Sequence, residues 1–502
     1  MKQITVTVNG QSISATAGLT LSEIVRGEKP CGGHGKCGKC KVMATGDLSP
    51  LTEAERDILS ADELGRHVRL ACLTRALGDC AIITEAAEET AQIVTDGVLP
   101  EMEIQPIFSR YGVAMDIGTT TLAARLYDAA GKCLADASRI NPQQAWGADV
   151  VSRIEAALGG KATDLATAIR TALHSMLAEL AEGAAIEAQE IDGVVITGNT
   201  VMLSLLTAQS VEPFSHAPFA AERLFGETLS AKELDLSCLR ADTPVYLPPC
   251  ISAFVGADAT CAILATRLCK GSTAMLADIG TNGEMALWQG GKLTVCSTAA
   301  GPAFEGVGIS MGMRGAVGAI DRVRVEDDWL QAHVIGDVTP IGICGSGLVD
   351  AVACMLDLDI LDEGGYLEYD TFTIQAPVCI TPKDIRMLQL AKSAICAGLV
   401  TLLRSEGITS ADVSTLYISG GFGSYLSKDS ASRIGLVPAG LAARSTTVGN
   451  AALAGAAMLL LHKDMATHAA TVAAGATTLD LATNPIFSDQ YMSGMMLEEV
   501  DD

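Results

Sequence analysis

The 502-residue chain is 49% hydrophobic, has only 16 prolines and carries a formal charge of −25. That length exceeds a single core and predicts two or three domains, and the apolar content argues against a disordered chain. The acidity argues against a nucleic-acid partner, which needs clustered Lys and Arg, and is read as a charge that maintains solubility.

The opening "MKQITVTVNG" alternates like a strand and lacks the apolar core of a signal peptide. The longest apolar run, "AALAGAAMLLL" at 451–461, is too short to span a bilayer, so no membrane partner is expected. The 15 cysteines are an odd number scattered through segments such as "TCAILATRLC". They read as buried thiols of a reducing cytoplasm rather than a disulfide framework.

Residues 1–86 read as a small mixed domain. "ITVTVNG" and "QSISATAG" are alternating runs separated by Asn9-Gly10, a hairpin signal. Thr20 and Glu23 form a capping-box pattern ahead of a helix. "CKVMATGDL" predicts a strand, "TEAERDILSADELG" a helix and "CAIITEA" a returning strand. A β-grasp arrangement follows from that order.

Within it lies "PCGGHGKCGKCKV", with Cys31, Cys37 and Cys40 among glycines and lysines, and Cys72 in "RLACLTRA" as a distant fourth. The spacing C-x5-C-x2-C plus a remote cysteine resembles plant-type two-iron ferredoxins, with one extra residue in the first gap. Chain without side chains can wrap a cluster closely and offer its N–H groups to the sulfurs. Zinc and idle thiols are the alternatives. Zinc favours paired knuckles, which Cys72 lacks, although Cys80 lies eight residues on. His34 is either a fourth ligand or, more simply, a solvated loop histidine. Cys80 is expected in the core.

"AEETAQIVTDGVLPEMEIQPIFSR", about residues 87–110, reads as a linker. An internal repeat follows. "VAMDIGTTTLAARLYDAAGKCLA" at 113–135 matches "MLADIGTNGEMALWQGGKLTV" at 275–295, each an apolar strand ending in Asp-Ile-Gly-Thr, then a second strand, a Gly-Lys turn and a third. An Asp at such a strand end can hold a hydrated magnesium ion. Gly lets backbone approach a phosphate, to which Thr hydroxyls and amides donate. A Walker A sequence is absent.

The paired hairpins resemble the phosphate motifs of the ASKHA superfamily of acetate and sugar kinases, Hsp70 and actin. "LYISGGFGSYL" at 416–426 resembles its adenosine motif. "VVITGNTVMLSLL" at 194–206 and "VGNAALAGAAMLL" at 448–460 resemble the connecting helices at its hinge, which small residues let cross closely. Together with the cysteine-bearing head, "NPQQAWGADVVSRI", "LPPCISAFVGADAT", "STAAGPAFEG" and "ICGSGLVDAV" resemble the reductive activators of corrinoid-dependent methyltransferases. This resemblance covers nearly the whole chain. It implies an α+β and α/β architecture: a β-grasp 2Fe–2S ferredoxin domain at 1–86, a linker at 87–110, and a two-lobed ASKHA-type ATPase domain at 111–485. The lobes divide at about 270, and 486–502 is expected as an acidic tail. Longer relatives carry a further middle domain; this chain is expected to pass almost directly from linker to ATPase, and dimer contacts made by such a domain are not carried over.

Residue by residue, the resemblance implies that Cys31, Cys37, Cys40 and Cys72 hold the 2Fe–2S cluster. Asp116, Gly118, Thr119, Thr120 and Thr121 form the first phosphate hairpin, and Asp278, Gly280, Thr281, Asn282, Gly283 and Glu284 the second. Asp116 or Asp278 would organise Mg2+ beside ATP, Glu284 would orient the attacking water, and Gly420 and Gly421 would leave room for the nucleoside. Asp258 reads equally as a helix N-cap or a group near the metal. The Gly-rich segment 296–316 would face the corrinoid protein, with Ser297 as an oxygen donor to cobalt, or else serve as a phosphate or hinge loop.

The implied activity is one-electron reduction of inactive cobalt(II) to cobalt(I), with a low-potential electron donor upstream and a homodimer among the expectations. A small-molecule kinase with an accessory cluster, a dehydratase-type activator and a plain electron carrier are the alternatives from other classes.

Overall fold

The computed structural model describes residues 2–8, 11–25, 33–36, 38, 40–83, 97–422 and 425–501. The Asn9-Gly10 turn, Cys31 and Cys37 lie outside the described residues. Two compact units divide the chain: Met1–Glu89 with Pro142–Ile169, and Thr90–Asn141 with Arg170–Asp502.

The first unit holds a five-stranded sheet of β1 (Gln3–Val8), β2 (Gln11–Thr16), β3 (Lys41–Leu48), β4 (Val68–Leu70) and β5 (Ala76–Ile83), in the order β2-β1-β5-β3-β4. β1 pairs antiparallel with β2 and parallel with β5, placing Val6 opposite Ile13 and Cys80. Alternation along β5 buries Ala76, Gly78, Cys80 and Ile82, and the side chains of Ala76, Cys80 and Ile82 close a core with Ile4, Val6, Leu21, Val42 and Ala44. Thr20 and Glu23 exchange hydrogen bonds as the capping box requires. The single helix expected over "TEAERDILSADELG" is two, Glu53–Ile58 and Ala61–Gly65. Ser60 and Glu63 form a second capping box that restarts the chain there. Pro142–Ile169, expected inside the ATPase region, clusters with these residues. Its helix Val150–Ala156 is capped by Asp149, and the buried Arg153 donates to the Gly147 carbonyl at 3.0 Å.

The larger unit displays the sequence repeat as two six-stranded sheets of one design. The first contains β6 (Tyr111–Ile117), β7 (Thr121–Asp128), β8 (Cys133–Ile140), β9 (Ile191–Gly198), β10 (Glu227–Ser230) and β11 (Pro244–Leu247), ordered β10-β11-β9-β6-β7-β8. The second contains β12 (Ala274–Ile279), β13 (Gly283–Gln289) and β14 (Lys292–Thr298), joined by Thr415–Ser419, Ser445–Thr447 and Ala476–Thr478. In each, a three-stranded antiparallel meander is extended from its first strand by parallel neighbours.

The helix Ala451–Leu461 crosses Ala257–Ala265, not the short helix Thr200–Leu206 that the expected hinge pair assigned to it. A side chain on Gly455 would come within 2.0 Å of the Cys261 carbonyl, so the crossing needs glycine. The 24-residue helix Pro382–Ser405 is long and apolar enough to cross a membrane, yet most of it is buried within the protein.

Both ends expected to be loose are fastened to the larger unit. Residues 97 and 105, expected in the tether, bridge to Gly449 and His462. The expected acidic tail begins inside the helix Pro485–Ser493, and Leu497 beyond it is fully buried. The buried Lys392 ammonium donates to the Met496 carbonyl, and Gln389 to that of Met495. Unpaired donors inside a core are costly, and this segment supplies their acceptors.

One buried carboxylate organises the first unit. Glu55 is fully buried and accepts from Arg69 Nε at 2.9 Å, the Thr74 hydroxyl at 2.9 Å and the Leu70 amide at 3.2 Å. Burial alone would raise its pKa; Arg69, the Thr52 amide, Thr74 and Leu70 instead hold it down to about 2. The pair joins the helix Glu53–Ile58 to the chain that carries Cys72. Breaking such a pair costs about 3–5 kcal/mol. Glu55→Ala is therefore expected to lower the unfolding free energy of this unit by about 3 kcal/mol at pH 7 in denaturant titrations. A loss below about 1 kcal/mol, the scale of an exposed ion pair, would contradict that role.

Candidate functional site

The two Asp-Ile-Gly-Thr turns open onto one cleft of about 240 Å³ in the larger unit. In β6, Asp116 faces Ala123 across the hairpin and Thr197 on the parallel strand. In β12, Asp278 faces Glu284 and Ser419 in the same way. Gly118, Thr119, Thr120 and Thr121 line the cleft from one side, and Gly280, Thr281 and Asn282 from the other. Gly420 and Gly421 line its far part. Gly420 has φ +98°, and a Cβ there would meet the Ile279 carbonyl at 2.5 Å, so the approach of this loop to β12 depends on glycine.

Gly283 does not line the cleft but packs under Ile395. Ser297, half-buried on β14, directs its hydroxyl to Glu284 Oε1 at 3.4 Å. Asp258 is not the N-cap, which is Gly256; it stands in the first turn of Ala257–Ala265 with its carboxylate lining the cleft.

Asparagines that no motif had singled out hold the first hairpin. Asn141 takes the Gly118 carbonyl on its side-chain amide at 2.8 Å and the Thr120 carbonyl on its backbone N–H at 2.9 Å. Asn199 caps Thr200–Leu206 with Oδ1 and donates through Nδ2 to Thr119 at 3.2 Å. Asn450 caps Ala451–Leu461 in the same manner and donates to Asp116 at 3.0 Å. The available signal was the recurrence of Gly-Asn before a helix, at Gly198-Asn199 and Gly449-Asn450.

Glu305 was also missed. It ends the 3-10 turn Pro302–Glu305 and accepts from Thr120 of the first hairpin and, at 2.8 Å, from Thr281 of the second. The two hydroxyl oxygens lie 3.4 Å apart. The preceding Phe304 stacks on Phe422 beside Gly420-Gly421, with centroids 4.5 Å apart.

Charge dominates the cleft. Asp116, Asp258, Asp278, Glu284 and Glu305 line it, against one cation among the described residues, Arg314. Burial, reinforced by the Asp278 charge, pushes Asp116 up to about 7 against the opposing hydrogen bond from Asn450. Asp258 rises to about 7 through burial and the charges of Asp116 and Asp278. Burial lifts Asp278 to about 6 despite Ser419. Glu284 rises well above its usual value from burial and from Asp258 and Asp278. Among the described residues, no three His, Cys, Asp or Glu side chains converge as a direct metal site.

In the first unit, Cys40 and Cys72 come together with their sulfurs 3.2 Å apart. Gly35 and Gly38 beside them have φ of +65° and +67° and press on Leu73 and Ile58. His34 is exposed, and Cys80 is buried in the core.

Comparison with known proteins assigns the chain. Residues 272–502 match the family model described as the C-terminal domain of RACo, the ASKHA domain, and residues 111–271 match that of the RACo middle region. The segment matched by the middle-region model is the one that carries the first hairpin. The corrinoid activation enzyme RamQ of Eubacterium limosum is 34% identical over 420 residues, 77% of this chain and 70% of that protein. The [Co(II) methylated amine-specific corrinoid protein] reductase of Methanosarcina barkeri is 27% identical over 431 residues, 78% and 79% of the two chains. The solved structure of a reductive activator for corrinoid, iron–sulfur protein matches 99% of both chains with a TM-score of 0.74 and 26% identity. On its repeated hairpins, its sheet design and these relatives, the chain belongs to the RACo family of corrinoid-protein reductive activators.

Proposed function

We propose that this protein reductively activates a corrinoid protein, returning inactive cobalt(II) to cobalt(I) by a one-electron transfer coupled to ATP hydrolysis. The observation that carries the ATP part is a pair of like hairpins, from two sheets of one design, bridged across a single cleft through Glu305. Thr119, Thr120, Thr121 and Thr281 would grip the terminal phosphates from two sides, and the loop at Gly420 and Gly421 would take the nucleoside. The acidic excess fits a hydrated Mg2+. Asp116, Asp258 and Asp278 would reach it through its water shell, a mode that suits this ion.

The electron part rests on the first unit. Its strand order is that of a β-grasp, and Cys40 and Cys72 meet at 3.2 Å. These two, with Cys31 and Cys37, would hold a 2Fe–2S cluster. The exposed His34 gives no support to a zinc site. When bound, a plant-type cluster supplies one electron near −400 mV. The Glu55–Arg69 pair would keep Cys72 in register with Cys40. We infer a reducing compartment such as the cytoplasm for a chain whose 15 cysteines are an odd number. A low-potential donor must refill the cluster, and a homodimer is in keeping with the family. Ser297, bonded to Glu284, serves the cleft in this geometry and gives no support to a cobalt-donor role.

Nucleotide matters because each 59 mV of mismatch costs a single electron transfer about tenfold in equilibrium constant. ATP can help only if its bound and hydrolysed states differ in their interaction with the partner.

Anaerobic mixing of the reduced protein with cobalt(II) corrinoid proteins should produce the cobalt(I) absorption band with Mg-ATP, and Asp116→Ala or Asp278→Ala should cut the ATP-dependent rate by about 100-fold or more. A band that forms equally without ATP, or in neither condition, would contradict the proposal.

The charge crowding also predicts a pH signature. Carboxyls raised to about 6 and 7 in the folded state bind more protons than in the unfolded chain. Their contribution therefore falls as pH rises from about 4 to 7. Glu55 acts oppositely, but between about 2 and 4.5. In chelator, the melting temperature should decline between pH 5 and 7.5, and Mg2+ should restore it at pH 7.5 and hardly at pH 5. An equal effect of Mg2+ at both values would count against cation binding by these groups.

A further inference from the structure

The geometry points to Glu305, not Glu284, as the carboxylate that orients the water attacking the terminal phosphate of ATP. The inference deepens the ATPase reading and rests on it.

A threonine hydroxyl has one proton to donate. Here Thr120 donates to Glu305 Oε2 and Thr281 to Oε1, one hairpin per carboxylate oxygen. The same two hydroxyls, 3.4 Å apart, are among those proposed to grip a terminal phosphate. When phosphate oxygens take their protons, Glu305 loses both donors while still facing the phosphate. Two anions do not bind each other directly. A water between them satisfies both, donating one proton to Glu305 and presenting a lone pair to phosphorus.

The backbone under Glu305 is anchored. Phe304 is 3% exposed and stacked on Phe422, while Gly306 with φ +77° turns the chain back against Met313. The side chain can rotate, but its Cα has little room to withdraw. Glu284 is placed otherwise: it sits opposite Asp278 within the β12–β13 ladder and is engaged by Ser297.

In the step itself, the water oxygen bonds to the γ-phosphorus as the bond from that phosphorus to the β–γ bridging oxygen breaks. ADP leaves, and the water proton passes to the Glu305 carboxylate and from there to phosphate or solvent. Carboxylate assistance of this kind contributes about 10²–10⁴-fold.

The test uses the full-length protein and Mg-ATP, reading phosphate release and nucleotide affinity by calorimetry. Glu305→Gln should bind Mg-ATP as tightly as wild type or more so and lose about 100-fold or more in kcat. A kcat within about threefold of wild type, or an ATP affinity that falls in step with kcat, overturns the inference, the latter because it marks a strap between the hairpins. If the Gln variant does not fold, Glu305→Asp carries the test. It should be slowed at an unchanged affinity for Mg-ATP, whereas an unchanged rate overturns the role. A wild-type protein that binds ATP but releases no phosphate removes the ATPase reading itself, which separates the two failures.

Discussion

Five acidic side chains share one cleft, and the larger unit is arranged around that crowding. Asp116 and Asp278 end the central strands of two like sheets, Asp258 opens the helix that crosses Ala451–Leu461, Glu284 faces Asp278, and Glu305 ties one hairpin to the other. Left alone, Asp116, Asp258, Asp278 and Glu284 offset the cost of burial by holding protons, which is what their raised pKa values express. A cation and a polyphosphate bound there, as proposed, would make the energy of the cleft depend on what occupies it.

That dependence gives duplication its use. Each sheet contributes one Asp-Ile-Gly-Thr hairpin to the cleft, so a nucleotide held by both, as proposed, would be a contact between two halves of the fold. Asn450 extends the link: it caps Ala451–Leu461 and also reaches Asp116. Phe304 and Phe422 join the Glu305 turn to the loop at Gly420. Under the proposed function, a change in the terminal phosphate would act on the hairpins, on a crossing helix and on the Gly-rich segment together. Differential energy of this kind is what coupling to a partner requires. The first unit has a separate constraint, the buried Glu55–Arg69 pair on the segment leading to Cys72, whose sulfur lies 3.2 Å from that of Cys40.

Much of this was legible where chemistry is local. Asp-Ile-Gly-Thr at a strand end, repeated, announced both hairpins, and Thr20 with Glu23 announced its helix. Glu305 was not legible, because its meaning comes from threonines 185 and 24 residues away. Asn141 and Asn450 act over similar spans. The break at Ser60 was hidden by an unbroken run of helix-forming residues, although the Ser60–Glu63 box was there to be read. The C-terminal segment looked like a tail because its composition is acidic; it packs because Lys392, Gln389 and Ser393 need acceptors that its backbone provides. The helix Ala257–Ala265 was passed over as the crossing partner because small residues also mark the Thr200–Leu206 region.

The central claim is that cleft occupancy governs engagement with the corrinoid protein. The most direct measurement is the affinity of the full-length protein for a cobalt(II) corrinoid protein with ATP, with ADP and with no nucleotide. The account predicts that affinity differs by at least about tenfold, roughly 1.4 kcal/mol, between the ATP and ADP states. Equal affinity in all three would contradict it.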